Sequence, residues 1–458
     1  MNIYIHCEIV SRELESKLLL AVLAASRGHQ VVISDSESIE KGVVRGYLYP
    51  GIFHTKSITP SKSKIKRHSI FKNAGIKITS IDEEGGLTSA DYNVMANIRY
   101  SSETFEQVSA IFTWGDDDYE TLKKKYPNYI SKIYKTGSPR ADLWKSKFSD
   151  YWSTYRNKPQ KPFLLVSSNM NVCDVKFFHE RAMDDIFGGY YERDPEHFYE
   201  RFRVKSNNFT KAAEFIKAIK HLSKNNNGYD IVLRPHPIEN INCWKVLLKG
   251  IPNVFVNREG SINTWVHNSF AIMHNGCTTA LEATILKKPV LTYAHPSFKF
   301  NKSFSFTNEL GYLVENKEDL LNKVNDIFSD NKSNNQKYSN FSIPPKVLKR
   351  IFIDNNELSA KKMIKIWESL DDKSLSKPNN WAKFIWHLKK MKFNGLIGRI
   401  NNFLIKNKSL SKKENSKYPV LQQHEIESKV NKLIKILGVN KKLDCKVLSD
   451  RTILIKLS

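Results

Sequence analysis

Three short segments set residues capable of chemistry directly after apolar, strand-like runs. In "ITSIDEEGGL", Asp82, Glu83 and Glu84 crowd together ahead of Gly85 and Gly86. Adjacent carboxylates repel, which raises the pKa of at least one and makes it a better general base near neutral pH. The glycines permit a sharp turn and leave space for a substrate. A solvated acidic turn would read the same way. In "YDIVLRPHPIEN", Arg234, His236 and Glu239 follow the strand, and Pro235 and Pro237 restrict the backbone on both sides of the imidazole. A held imidazole beside an arginine suits a phosphate leaving group; a loop histidine in a proline-stiffened turn is the plainer alternative. In "FAIMHNGCTTALEATILKKPVLTY", the turn Asn275-Gly276-Cys277 leads into a helix that opens with Thr278 and Thr279. Free N–H groups, the positive dipole end and two hydroxyls favour a phosphate there. Glu282, one turn on along the same face, could accept bonds from ribose hydroxyls. Ordinary Thr capping with a capping-box Glu accounts for the same residues.

Each segment depends on the elements that carry it. The first half alternates strand-like and helix-like runs: "NIYIHCEI", "SRELESKLLLAVLAASRGH", "QVVISD", then "GIKITSID", "SSETFEQVS", "AIFTWG", "DDDYETLKKKYP" and "KIYKTG". That order predicts a parallel sheet covered by helices. A polar stretch to about Pro162 breaks the rhythm. Alternation resumes with "PFLLVSSN", is interrupted by an aromatic and acidic insert near 174–205, and continues to about residue 330. The expected divisions are 1–158 and 159–345 for two Rossmann-like domains, 346–374 for a crossing helix, and 375–458 for a basic extension. Asp116, Asp117 and Asp118 read as the N-cap and first-turn acids of a helix rather than metal ligands.

The 458 residues carry 72 Lys and Arg against 47 Asp and Glu, a net charge of +25, and over half of that excess falls after residue 370. The tail is thus the part that wants an anionic partner. In "WAKFIWHLKKMKFNGLIGRINNFLIKNK", Trp381, Phe384, Ile385 and Leu388 recur at helical spacing, continued by Phe393, Leu396, Ile397, Ile400, Phe403 and Leu404, with lysines on the other faces. An aromatic stripe backed by lysine reads as a helix in a membrane interface, with packing on the protein's own body as the alternative. No nucleic-acid-binding module is visible. The five scattered cysteines form no C-x-x-C pair, which argues against a disulfide framework or zinc site and fits a reducing cytoplasm. Neither a signal peptide nor a spanning helix is expected.

Taken together, Glu83-Glu84-Gly85, His236-Pro237 and Thr278-Thr279 resemble the D/E-D/E-G, HP and Ser/Thr motifs shared by bacterial sialyltransferases of the GT-B fold. A wider resemblance, over about residues 1–300, is to surface carbohydrate (polysaccharide) biosynthesis proteins. It rests on "EIVSRELESKLLLAVLAASRGHQVVI", "SIDEEG", "FTWG", "KTGSPRADL", "RPHPIEN" with Trp244 after it, and "HNGCTTALEATILKKPVLTY". The resemblance implies an α/β GT-B protein, two Rossmann-like domains facing a cleft, with an acceptor side and a nucleotide-sugar side. It implies that Glu83 deprotonates the acceptor hydroxyl, with Asp82 or Glu84 close enough for the role to slip by one. His236, assisted by Arg234 and Pro237, would bind and protonate the phosphate of CMP, while Asn275, Gly276, Thr278 and Thr279 hold it and Glu282 takes the ribose. Arg140 would lie near the cleft. His295-Pro296 is a second His-Pro without a neighbouring arginine. The implied activity is inverting transfer of a sialic-acid-like nonulosonic acid from a CMP-sugar to a glycan or lipid-linked acceptor, without metal or other cofactor, at the inner face of the membrane. Alternatives are a CDP-glycerol or CDP-ribitol transferase of the teichoic-acid type, a retaining Kdo transferase, and a non-catalytic membrane-bound scaffold. Oligomeric state is not legible.

Overall fold

The structure is a computed structural model that describes residues 1–87, 92–153, 159–170, 195–226, 228–237, 239–298, 306–372, 377–391 and 420–458. The chain divides into two compact units, one formed by Met1–Tyr151 with Pro344–Ser458 and the other by Trp152–Ile343.

Unit 1 is built on β1 (Asn2–His6), β2 (Gln30–Ser34), β3 (Gly51–Thr55), β4 (Lys77–Ile81), β5 (Ala110–Thr113) and β6 (Ile133–Lys135), all parallel. The strands are apolar on both faces and buried along almost their whole length, as a helix-covered parallel sheet requires. Their order is 2-1-3-4-5-6, so the winding reverses between β1 and β3. Ligands of such sheets gather outside the carboxyl ends of the strands at the reversal. The loops after β1, β3 and β4 carry Glu8, Lys56 and Asp82 to Glu84.

Unit 2 repeats the plan with β7 (Phe163–Ser167), β8 (Asp230–Arg234), β9 (Val254–Val256), β10 (Ala271–His274), β11 (Val290–Tyr293) and β12 (Tyr312–Val314). Its order, β12-β11-β10-β7-β8-β9, is that of a doubly wound nucleotide-binding sheet. The reversal lies between β7 and β10. Its own core is closed by the helices Pro195–Lys224 and Lys317–Ser333, through Phe215, Ile219, Leu222, Leu320, Val324 and Ile327.

The tail departs from expectation. Residues 420–458 are not a separate basic extension: β14 (Thr452–Leu457) pairs antiparallel with β2, aligning Ile453 with Ile33 and Ile455 with Val31, and β13 (Leu443–Ser449) pairs with β14. The helix Gln423–Leu437 lies on the first helix, Val10–Ser26, where Lys429 reaches the buried Glu15. That first helix is buried nearly all round, its charged residues Glu13, Glu15 and Lys17 included, because the sheet, the tail helix and the helix Ser359–Leu370 enclose it. The crossing helix expected over 346–374 is two helices, Pro345–Arg350 and Ser359–Leu370, both within unit 1.

The helix over 381–391 also turns its apolar stripe inward. Phe384 and Leu388 join the core with Val43 and Leu48, Ile385 is half-buried, and the Trp381 indole donates to Gln30 Oε1 at 3.1 Å. An apolar stripe records that a helix covers something apolar, and here that surface is the protein's own. Phe393, Leu396, Ile397, Ile400, Phe403 and Leu404 lie outside the described residues. Among the described residues no helix is long and apolar enough to cross a membrane. Cys7, Cys277 and Cys445 are free, whereas Cys243 is disulfide-bonded, a departure from the reduced thiols expected.

Candidate functional site

In unit 1 the three crowded carboxylates are separated by three cations. Glu83 is buried and pairs through Oε1 with Lys17, itself 1% exposed, on the first helix. Its Oε2 is buried and accepts no hydrogen bond among the described residues. Arg99, at the end of the helix Tyr92–Arg99, donates to Asp82 Oδ1 at 3.2 Å and pairs with Glu84. Arg12 meets Glu84 from the other side at 3.0 Å. Burial pushes the Asp82 carboxyl up by more than Arg99 pulls it down. For Glu84, burial also acts upward, but the hydrogen bond from Arg99 and the charge of Arg12 outweigh it and hold the carboxyl below its usual range. Mutual repulsion, the cause expected from sequence, is a minor contributor at Asp82, where the glutamates come last among the causes.

The backbone of this loop is fixed as firmly as its charges. Glu83 N–H donates to Lys56 O at 3.0 Å, Trp114 Nε1 donates to Asp82 O at 2.6 Å, and Arg140 Nη1 donates to Glu83 O at 3.2 Å. Arg140, expected nearby by resemblance, is therefore part of the loop's frame, with its guanidinium over the Trp114 ring. Gly85 and Gly86 have ordinary negative φ. What demands glycine is the indole: a Cβ on Gly86 would sit 2.5 Å from Trp114 Cδ2. The space expected for substrate is filled by that ring. Asp118 accepts from the N–H groups of Trp114 and Gly115 at 2.7 and 2.9 Å, so the acidic run does start the helix Asp116–Lys125. Among the described residues no group of His, Cys, Asp or Glu is placed to hold a metal.

In unit 2 the proline-flanked loop is organised by Glu239. Its Oε2 accepts from His236 N–H at 3.2 Å, from Trp244 Nε1 at 3.0 Å and from Ser168 Oγ; its Oε1 accepts from Met170 N–H at 2.8 Å. One buried carboxylate thus ties the loop after β8 to the loop after β7. It leaves the His236 ring half-exposed and Pro237 exposed. Arg234 is committed elsewhere: it donates to Glu259 O at 2.9 Å and Gly260 O at 2.5 Å, and lies over the Trp265 ring. Burial, then Arg258, pushes it down to about 9, while Glu282 acts upward. It stays charged at neutral pH, as a guanidinium does, with only part of its donor set available.

The threonine segment shows the same economy. Gly276 adopts φ +73°, the left-handed conformation that makes glycine the natural choice in this turn after β10. Its N–H is taken by Asn308 Oδ1 at 2.5 Å, and Asn275 Nδ2 by Tyr293 O at 2.8 Å. Thr279, the first residue of the seven-residue helix Thr279–Ile285, is buried with its hydroxyl 3.1 Å from Cys277 Sγ. Glu282 is 2% exposed, and its charge acts upward on Arg234. Thr278 is exposed and its hydroxyl makes no capping bond. Asn169 Nδ2, on the loop after β7, donates to Gly276 O at 3.1 Å and closes the reversal between β7 and β10. The second His-Pro forms a local turn, His295 Nδ1 lying 2.8 Å from Ser297 Oγ.

Sequence reading found the loops and missed their frame. Lys17, Arg99 and Glu239's bonding are long-range partners that no local spacing announces. Lys17 had a signal: in "LESKLLLA" its helical neighbours Leu14, Leu18, Leu20 and Ala21 are apolar, which places a lysine on a buried face.

No family model matches the sequence, and no curated protein matches it. Among solved structures, a variant of the wall teichoic acid polymerase TagF soaked with CDPG matches with a TM-score of 0.50, 11% identity, and coverage of 80% of this chain and 88% of that one. The fold is GT-B. A UDP-GlcNAc 2-epimerase from Methanocaldococcus jannaschii, in complex with UDP-GlcNAc and UDP, matches at 0.46 and 15% over 81% of this chain and all of its own. MnaA of S. aureus with UDP matches at 0.46 and 14% over 83% and 99%.

Proposed function

We propose that the protein is an inverting glycosyltransferase that moves a sialic-acid-like nonulosonic acid from a CMP-activated donor to a surface glycan. The observation that carries this reading is the sorting of the carboxylates. Glu84 is held ionised by two arginines and Asp82 is bound by Arg99 and a backbone N–H, while Glu83 keeps one oxygen, Oε2, without a partner among the described residues. Glu83 then takes the proton of the acceptor hydroxyl as its oxygen attacks the anomeric carbon. The bond to CMP breaks with its electron pair going to the phosphate, which His236 protonates. A single displacement inverts the configuration. Of the donor-side residues, His236 and Thr278 have exposure that suits phosphate contact, and Arg234 contributes charge from below. A monophosphate leaving group neutralised in this way calls for no metal.

The likeness to TagF soaked with CDPG favours a second donor, CDP-glycerol or CDP-ribitol, used by the same residues. Nucleotide release from CMP-sialic, CMP-pseudaminic and CMP-legionaminic acids and from CDP-glycerol separates the two. Turnover of a CMP-nonulosonate, reduced by about 10²–10⁴-fold in Glu83→Gln, is the expected result. Turnover of CDP-glycerol alone selects the second donor, and turnover of none of the four overturns both readings.

A further inference from the structure

The helix over 381–391 has a second face. Phe384 and Leu388 point into the core, which leaves Lys383, Trp386 and Lys390, spaced three and four residues apart, on one outward stripe with Lys389 beside them. Trp386 is 56% exposed, with the Lys390 ammonium 5.2 Å from its ring centroid. The neighbouring helix Ser36–Val44 ends against this one: Arg45 donates to His387 Nδ1 at 2.6 Å, and a Cβ on Gly42 would meet Phe384. That contact sets exposed Arg45, with exposed Val44 (63%) next to it in sequence, beside the 381–391 helix. Residues 377–391 contain four lysines and no acid. The two acids of the adjoining helix are already paired, Glu37 with Lys41 at 2.5 Å and Glu40 with Arg67 at 2.6 Å.

We propose that this outward face, Lys383, Trp386, Lys389 and Lys390 with Val44 and Arg45, is the surface by which the protein docks on an anionic lipid membrane. Tryptophan is suited to the headgroup level because its ring is apolar and its N–H polar. Lysines around it keep their ammonium groups in the headgroups while their stems lie along the ring. Each lysine near an anionic surface strengthens binding about fivefold, and the attraction fades within a Debye length of about 10 Å at 0.1 M salt. An RNA or protein partner would also meet the lysines. Among the described residues Trp386 has no second exposed aromatic on this stripe to form a base-stacking platform, which favours lipid. The inference is independent of the donor and of the catalytic base.

The test is co-flotation of the full chain with vesicles of phosphatidylcholine alone and of phosphatidylcholine with phosphatidylglycerol, at about 0.1 M and about 1 M salt. Wild-type protein should float with the anionic vesicles at low salt and stay at the bottom with neutral ones. Lys383→Glu/Lys390→Glu should reduce anionic binding by at least about tenfold, and Trp386→Ala several-fold. All three side chains are exposed, so the variants should melt with the wild type, and a circular-dichroism melt confirms that they are folded. Wild-type protein that does not float, or variants that float as well as wild type, would overturn the proposal. So would loss of binding to a labelled single-stranded RNA in the variants with flotation unchanged, which would assign the face to nucleic acid.

Discussion

A lysine and a glutamate taken out of water together tolerate burial because each neutralises the other. Removing one should therefore cost more than removing both. Lys17→Met leaves the Glu83 carboxylate buried without its counter-charge and should lower the unfolding free energy by about 3–5 kcal/mol, whereas Lys17→Met/Glu83→Leu should recover most of it. Urea denaturation of the three proteins checks this. Glu84 supplies a pH test. Its folded-state pKa is depressed, so its contribution is complete above the ordinary value of 4.5 and disappears as pH falls through the folded value. Glu84→Gln should flatten the stability profile below about pH 4.5. Because its side chain is 42% exposed, solvent screening keeps the effect within about 1 kcal/mol. At this scale the sequence showed which residues crowd together, but not which cation each one meets. Those partners come from the first helix and the helix Tyr92–Arg99, and a residue number does not say which faces of two helices converge.

The strand-helix alternation was legible because buried parallel strands are continuous apolar runs and their covering helices are amphipathic. β3, whose "GIFHT" centres on two apolar residues, was not. The tail was misjudged for a physical reason: a Lys-rich composition describes the solvent face of an element, while β14's "TILIKL" describes the face that binds. Trp381, Phe384 and Leu388 failed in the same way, since an apolar stripe fits a lipid and a core equally well. The hairpin makes a prediction at this scale. A chain ending at 419 would bare the β2 edge and the outer side of the first helix, and an unpaired apolar edge invites association. Such a protein should lose most of its soluble yield, and what remains should run as aggregate by size-exclusion chromatography.

Unit 2 is a single continuous segment with its own core and complete sheet, whereas unit 1 is assembled from both ends of the described chain. Residues 152–343 expressed alone should therefore fold, with a cooperative thermal transition by circular dichroism. Residues 1–151 alone should not, because the apolar faces of β2 and the first helix would lie open. Ile33 waits for Ile453, more than four hundred residues later in the sequence. At synthesis rates of about 5–20 residues per second, that interval is about 20–80 s. Throughout it the nascent chain carries a bare strand edge past an already foldable second unit. The protein should depend on a ribosome-associated chaperone more than its final stability would suggest, and a synonymous change in elongation speed would alter its yield without altering any residue.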